Sequence, residues 1–291
     1  MQIDLFTNSF LRSQSFSHLF DRLVEEGKKQ GVELIRRTNT DVLATTANIP
    51  YDFSENAIFW DKDLYLAKYL EKKGVRLFNN AKAIEICDDK GLTHLALSGI
   101  LPMPETYFSP KTFPSFDNLD YSFFDDVVKK LTLPVIVKQN FGSFGNEVYL
   151  CKTLDEVHER ISQIGVKPFL IQKFIASSIS KDVRVYIIGK KAIGAMKRSS
   201  KTDFRANVAR GGSAEHFPLP DDYRFVAEKA AEVIGLDFCG VDILFGEHGE
   251  PLLCEVNSNA HFKGFEAATG INVAEEIIEH VKNTIESKNR L

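Results

Sequence analysis

Apolar residues recur at Phe16, Leu19, Phe20, Leu23 and Val24, the i, i+3, i+4, i+7, i+8 spacing of one helical face. A short apolar stretch at Ile3, Leu5 and Phe6 precedes this helix, and Gly31 suits its C-terminal cap. VELIRR reads as the next strand. A second helix, from about Asp63 to Lys73, ends at Gly74 and leads into the strand VRLF. Strands alternating with helices predict a parallel α/β sheet here. Gly99 to Pro114, interrupted by prolines, reads as a connection between domains. Beyond it, Leu119, Phe123, Val127, Val128 and Leu131 predict a helix, PVIVK a strand, QNFGSFGNE a loop and VYLC a strand. Thr153 and Glu156 stand at capping-box spacing, opening a helix that carries Leu154, Val157 and Ile161, and PFLIQKFI is the strand after it. DVRVYIIG and AIGAMKR flank Gly189-Lys190-Lys191; FCGVDILF and PLLCEVN flank Gly246-Glu247-His248-Gly249. These are two hairpins. Between them a helix runs from about Asp222 to Ile234 and stops at Gly235, and a last helix spans about Val273 to Ile285.

Composition narrows the class. With 44% hydrophobic and 26% charged residues the chain is neither disordered, collagenous nor a coiled coil. Its 291 residues suggest about two domains at roughly 150 residues each. Lys and Arg number 36 and Asp and Glu 40, a net charge of −4, which argues against a nucleic-acid binder. No run approaches the roughly 18 apolar residues of a membrane span. MQIDLFTNSFLRSQ has neither a basic n-region nor a long apolar h-region, so no secretory signal is expected. Cys87, Cys151, Cys239 and Cys254 form no CxxC pair, so they read as reduced, mostly buried thiols of a cytoplasmic protein rather than zinc ligands. There is no GxGxxG after the first strand and no GxxxxGK[ST] anywhere.

Three constellations could carry chemistry. Glu255 and Asn257, at i and i+2 of one strand, share a face, and a hairpin turning near His248 brings Asp242 opposite Cys254 or Glu255. A one-residue bulge or shift would put all three on one side. Two carboxylates and an amide oxygen between apolar strands repel and are desolvated unless a cation joins them; hard oxygen donors suit Mg²⁺. The alternative is a solvated strand edge. Lys138 ends a strand and is followed by Gly142, Ser143 and Gly145, a loop able to approach phosphate, although alone it is equally a turn between strands. The basic run Lys197, Arg198, Lys201, Arg205, Asn207 and Arg210-Gly211-Gly212 suits phosphate or carboxylate, or is simply solvated. If unpaired, its charges repel, and 198–212 is expected to be mobile until an anionic nucleotide and a carboxylate arrive. Asp182 and Arg184 could pair inward or sit at a strand edge. No histidine has catalytic or metal-binding spacing; His261 is the one beside the Glu255–Asn257 pair.

The order of strand-Lys, glycine loop, QKFI, DVR, MKR, FRANVARGG, VDILF and EVNSN resembles the ATP-grasp superfamily, and more narrowly the RimK-type α-L-glutamate ligases. The resemblance covers almost the whole chain. It is strongest in DVRVYIIGKKAIGAMKRSSKTDFRANVARGGSA and in CGVDILF to LLCEVNSNAHFKGFEAATGINVAEEI. It implies an α/β and α+β ATP-grasp fold: a pre-ATP-grasp α/β domain over 1–95, then two α+β lobes over 96–174 and 175–291 that clasp ATP. It implies phosphate contacts from Lys90 and Lys138, adenine contacts from Gln172, Lys173, Phe174 and Ile175, and nucleotide contacts from Asp182 and from Arg205-Ala206-Asn207. Asp242, Glu255 and Asn257 match the metal ligands, with Glu255 bridging two Mg²⁺ ions and Mn²⁺ as the alternative metal. Lys173 stands where the family commonly has Glu, and Ser258-Asn259-Ala260-His261-Phe262-Lys263-Gly264 replaces a Pro-Gly-Leu type turn near the expected acceptor site.

The activity implied is an ATP-dependent carboxylate–amine ligase working through an acyl phosphate, adding glutamate or another amino acid to a peptide or small acceptor. Lys138, Arg205 and Arg184 would then be the catalytic cations. Another ATP-grasp peptide ligase (D-alanine–D-alanine-like or peptide-modifying) and a non-catalytic nucleotide-binding regulator remain as alternatives. The partners implied are ATP, a carboxylate or amino acid and an amine acceptor, with no nucleic acid and no membrane; a homo-oligomer is left open.

Overall fold

The computed structural model describes residues 1–47, 49–113, 122–142, 145–206 and 212–288. Its first layer is a parallel sheet of β1 (Gln2–Thr7), β2 (Glu33–Thr38), β3 (Asn56–Trp60) and β4 (Arg76–Phe78), in the order β2-β1-β3-β4. Two helices belong to it, α1 (Gln14–Lys29) and α2 (Leu64–Lys72). Both stop where expected, since Gly31 and Gly74 adopt φ of 74° and 88°. The helix pair α3 (Ala81–Asp88) and α4 (Lys90–Leu97) leads onward.

The second sheet is antiparallel, in the order β5-β8-β6-β7: β5 (Thr106–Phe108), β6 (Val135–Gln139), β7 (Val148–Cys151) and β8 (Phe169–Lys173). Helices α5 (Phe123–Leu131) and α6 (Leu154–Ile164) cover one face; α6 opens with Thr153 Oγ1 accepting the Glu156 N–H at 3.2 Å, as the capping box predicts. Val135 and Val137 point into that core, so Ile136 and Lys138 point the other way. Leu119, assigned above to the first of these helices, lies outside the described residues.

The third sheet is antiparallel, β11-β10-β9-β12-β13, built of β9 (Lys181–Ile188), β10 (Lys191–Ser199), β11 (Ser213–His216), β12 (Phe238–Phe245) and β13 (Pro251–Asn257). The β9–β10 hairpin turns on Gly189 and Lys190, both at positive φ (57° and 70°), a backbone hand that matches strand twist. Odd-numbered Val183, Val185, Ile187, Cys239, Val241 and Ile243 pack under α7 (Asp221–Ile234). Even-numbered Tyr186, Ile188 and Phe238 pack against the parallel sheet, α8 (Lys263–Thr269) and α9 (Val273–Lys288). That even face becomes polar at Asp182, Arg184 and Asp242, and the site begins there.

The parallel sheet is pinned to the third sheet by Asn79, fully buried. Its Nδ2 donates to the carbonyls of Phe238 (2.9 Å) and Ser258 (3.1 Å), and its Oδ1 accepts the N–H groups of Asp237 (2.7 Å) and Phe238 (3.2 Å). Trp60 stacks on Phe238 beside it, with ring centroids 5.2 Å apart.

The hydrophobic pattern does not mark β3, β5, β11, α3, α4 or α8. The Gly99–Pro114 stretch is more than a connection: β5 inside it pairs with β8 at the sheet edge, Thr106 opposite Gln172. An edge strand of three residues between prolines has too few positions to show alternation. The expectation of unpaired charges from Arg198 onward is also corrected. Arg198 lies in β10 with its guanidinium paired, and Arg205 is paired too; residues 207–211 are outside the described set.

Candidate active site

The faces described above enclose a cavity of about 730 Å³. Lys90, Lys138, Gly142, Gly145, Gln172, Lys173, Phe174, Ile175, Asp182, Arg184, Arg205, Ala206, Asp242, Glu255 and Asn257 all line it. Ser143 and Asn207, also expected at the site, lie outside the described residues.

One wall is a four-member ion network. Register places Arg198 opposite Asp182 and Asp242 opposite Arg184, so all four side chains share the even face. Arg198 forks onto Asp182 (2.6 and 2.7 Å) and reaches Asp242 Oδ2 at 3.0 Å. Arg184 forks onto Asp242, with both bonds at 2.7 Å, and leaves its Nη1 without a partner among the described residues. Gly240 gives it room: a Cβ there would lie 3.3 Å from Cδ of Arg184 and 2.7 Å from Cβ of Ala260. Burial pushes the carboxyl of Asp242 up, but Arg184 and Arg198 outweigh it and hold it below the ordinary range. Asp182, facing only one close guanidinium, stays raised by burial. The inward pairing of Asp182 and Arg184 therefore holds as to burial, but each takes its partner from a neighbouring strand.

The β12–β13 hairpin carries the bulge that the spacing allows. Asp242 faces Glu255 and Gly240 faces Asn257, whereas Ile243 faces Leu253, leaving Cys254 as the extra residue. Among the described residues no three Asp, Glu, His or Cys side chains gather as a metal site; the set is two carboxylates and an amide. Its chemistry suits Mg²⁺. Glu255 makes no side-chain hydrogen bond or ion pair among the described residues, an open carboxylate on the cavity wall. Asp242 Oδ1 accepts one bond and keeps a lone pair, while Oδ2 accepts three, the last from Asn257 Nδ2 at 3.4 Å. That bond leaves the amide oxygen of Asn257 as a donor to a cation.

Across the cavity stands Lys138, 4% exposed and with no hydrogen bond or ion pair among the described residues. Burial lowers its pKa, against the pull of Cys254 and Glu255. Lys90, the first residue of α4, donates to the carbonyl of Gly142 at 2.9 Å. Asp89 caps the helix at the Gly91 N–H (2.7 Å) and takes a bond from Asn140 Nδ2 (2.8 Å), so α4 holds the glycine loop from behind. Gly91 must be small, since a Cβ would come within 2.6 Å of Asn140 Nδ2. From the opposite side Arg205 donates to the carbonyls of Gly145 and Val148 while Asp203 orients it at 2.9 and 2.7 Å. A lowered ammonium pKa means that the charge of Lys138 is lost below the ordinary 10.5. Affinity for a non-hydrolysable ATP analogue should therefore fall as pH rises, before an ordinary lysine would titrate; equilibrium titration over roughly pH 7 to 10 checks this, and in Lys138→Ala that fall should vanish.

Gln172 is buried and donates to Thr106 Oγ1 (2.8 Å) and towards His94 Nε2 (3.3 Å). Burial, then Lys138 and Lys90, push His94 down to about 3, so it stays neutral. Ile136, Met196 and Leu244 add an apolar lining; each lies inside a stretch quoted above (PVIVK, MKR and VDILF), but none is singled out there as a site residue. Asn8, Trp60, Asp61 and Lys62 line the far end, without a motif. His261 is there as well, its ring 4.3 Å from that of Phe16.

The family model of the RimK-like ATP-grasp domain matches residues 109–281, more than half of the chain. The chain belongs to the RimK-like ATP-grasp family. It is 36% identical over 222 residues to a probable alpha-L-glutamate ligase of Pseudomonas fluorescens, covering 74% of this chain and 70% of that protein. It is 32% identical over 232 residues to N-acetylaspartylglutamate synthase A of Homo sapiens, covering 78% of this chain and 58% of that protein. The fold superposes on a D-alanine–D-alanine ligase of Bacillus anthracis complexed with ATP, with a TM-score of 0.74, 18% identity and 99% of both chains covered. The architecture is thus the ATP-grasp fold, and this RimK-like chain is an ATP- and Mg²⁺-dependent ligase that forms a C–N bond between a carboxylate and an amine. Among the described residues no helix is long and apolar enough to cross a membrane.

Proposed function

We propose that this ligase phosphorylates a carboxylate with ATP and joins the acyl phosphate to the amino group of an amino acid, with L-glutamate as the first candidate. The observation that carries the reading is the pairing of two unsatisfied groups across one cavity, the buried ammonium of Lys138 and the open carboxylate of Glu255. The first suits a phosphate, the second a cation that accompanies it. Glutamate as the amine is drawn from the two named relatives.

The roles we assign rest on the resemblance to the family and on the residues that line the cavity. Backbone groups of 172–175 take the adenine, Asp182 faces the ribose, and Lys90 and Arg205 hold the glycine loop over the phosphates. Lys138 neutralises phosphate charge. Arg184 turns its unpartnered Nη1 to the charge that develops on the reacting carboxyl group. Asp242, Glu255 and Asn257 would hold two Mg²⁺ ions, which when bound draw charge from the phosphate oxygens. The carboxylate oxygen attacks the γ-phosphorus and ADP leaves; the amine then attacks the acyl carbon and phosphate leaves. Keeping water out matters because acyl phosphates hydrolyse. The division into 1–95, 96–174 and 175–291 is kept, with α4 running across the first boundary. The setting is cytoplasmic, where the four free thiols stay reduced.

The test is ADP release with Mg-ATP, the twenty L-amino acids and a panel of carboxylates, with products followed by mass spectrometry. ADP release that requires both substrates, with a product mass equal to their sum less one water, is the expected result. ADP release indifferent to every carboxylate and amine would sink the reading. Lys138→Ala should weaken binding of the ATP analogue and slow turnover together, by roughly 10–100-fold, the loss of a charge-assisted contact.

A further inference from the structure

The chain leaves β13 at Asn257 and reaches α8 through residues 258–262, and within that span His261 lines the cavity. Phe16, in the first turn of α1, lines the same cavity from the first domain. The two rings meet edge to face, with centroids 4.3 Å apart and planes at 72°. An aromatic pair in this arrangement attracts beyond the area it buries. Burial, then Arg184, lowers the pKa of His261, so at pH 7 the imidazole is neutral and packs as an apolar ring.

Both rings are held from behind. Phe16 leans on the buried Phe20, with centroids 6.3 Å apart. His261 sits between Ala260 and Phe262, which are 3% and 1% exposed, and the Ala260 carbonyl accepts the Tyr186 hydroxyl at 2.9 Å. The two segments are also tied to each other. Arg22 of α1 donates to Asn272 Oδ1 at 2.7 Å and reaches Glu266 of α8 at 3.6 Å. A pair fixed in this way cannot part cheaply for a larger guest.

Its place in the cavity gives the pair a task. The nucleotide residues lie on the second sheet and at the start of α4, and the metal residues on β12 and β13. Arg184, assigned above to the reacting carboxyl group, is near enough for its charge to act on His261. In phosphoryl transfer the attacking oxygen and the leaving oxygen stand roughly in line. The substrate therefore extends away from the nucleotide, past Arg184 and towards the rings.

We propose that the Phe16–His261 pair ends the substrate site and determines specificity by length, setting how many carbons a substrate carries beyond its reacting group. This rests on the ligase reading and deepens it. One methylene too many or too few in such a site changes kcat/KM by about 10–200-fold.

The experiment starts from whichever carboxylate and amino acid together support ADP release by the full chain with Mg-ATP, and lengthens each in turn by single methylenes. With L-glutamate as the amine, the series is L-aspartate, L-glutamate, L-2-aminoadipate and L-2-aminopimelate. In at least one series kcat/KM of the wild-type protein should fall at least tenfold at a particular added methylene. His261→Ala should move that fall at least one methylene further along the same series and leave KM for ATP within twofold. Phe16→Ala should do the same from the other ring, and carries the test if His261→Ala does not fold. The series that moves identifies the substrate that lies against the rings. A fall at the same methylene in a folded variant would overturn the assignment, as would a wild-type protein with no length limit in either series. A variant that loses the same factor with every homologue would mark the rings as structural and refute it as well. Absence of ADP release with every carboxylate and amino acid pair is a different result: it refutes the ligase reading and takes this inference with it.

Discussion

Glu255→Ala should lower ADP formation by about a thousandfold or more while the protein keeps its fold. The side chain has no hydrogen bond or ion pair among the described residues, so its loss breaks no contact of that kind. What it removes is an open carboxylate on the cavity wall, and with it a ligand both ions would share. Charge stabilisation by a catalytic metal contributes several kcal/mol to such a transition state, and about 4 kcal/mol corresponds to roughly a thousandfold in rate. Turnover at saturating Mg²⁺, with a melting curve for the fold, measures both halves. Near-normal ADP release in this variant would end the metal assignment. Asn257→Ala should be milder, because water can replace a neutral oxygen ligand.

Arg198→Ala acts on stability instead. The guanidinium, 4% exposed, is shared by Asp182 and Asp242, themselves 8% and 5% exposed. Without it Asp182 is a buried carboxylate with no counter-charge in contact, and Asp242 keeps only Arg184. Breaking a buried pair from one side costs about 3–5 kcal/mol, because the abandoned charge stays desolvated. For a chain of this size that lowers Tm by the order of 10 °C. Arg198→Lys should recover part of the loss, since one ammonium cannot reproduce both forks. Lys201→Ala, three residues on and exposed, serves as the control and should shift Tm by less than about 2 °C. A similarly small shift in Arg198→Ala would show that the network is solvated and of little consequence.

Local pattern made most of this molecule legible. The α1 stripe, the Thr153 cap and both hairpins were readable because each depends on residues within about ten positions of one another. The β12–β13 arrangement was readable too, since hairpin arithmetic brings Asp242 to Glu255 once a bulge is allowed. The ion network is not, although Arg198 stands out in the basic run and Arg184 in an apolar strand. Which acid each one meets depends on the register of three strands, two of them far apart in sequence. The cation expected between Asp242 and its neighbours is in part protein: Arg184 and Arg198 already supply two guanidinium groups. β3 lacks alternation because a strand flanked on both sides is apolar throughout, and the pattern of Ala57 to Trp60 is as compatible with a helix. Asp61 carries no signal in the sequence; it becomes visible only when β1 and β3 are laid side by side.

Asn79 has a bearing on how such enzymes could be recombined. All four of its hydrogen-bonding positions are filled by backbone of the third sheet, at 237, 238 and 258. The end of the cavity lined by Asp61 is thus registered to the wall that holds Glu255 in part through one amide side chain, beside the Trp60–Phe238 stacking and the Asn80 bond to the Gly235 carbonyl. A chimera made by exchanging the first domain for that of a relative should align better when the incoming domain also carries this amide and the host retains its socket. Grafts that cut before residue 79 and grafts that cut after it should thus behave as two separate classes, one keeping the host's alignment and the other importing its own.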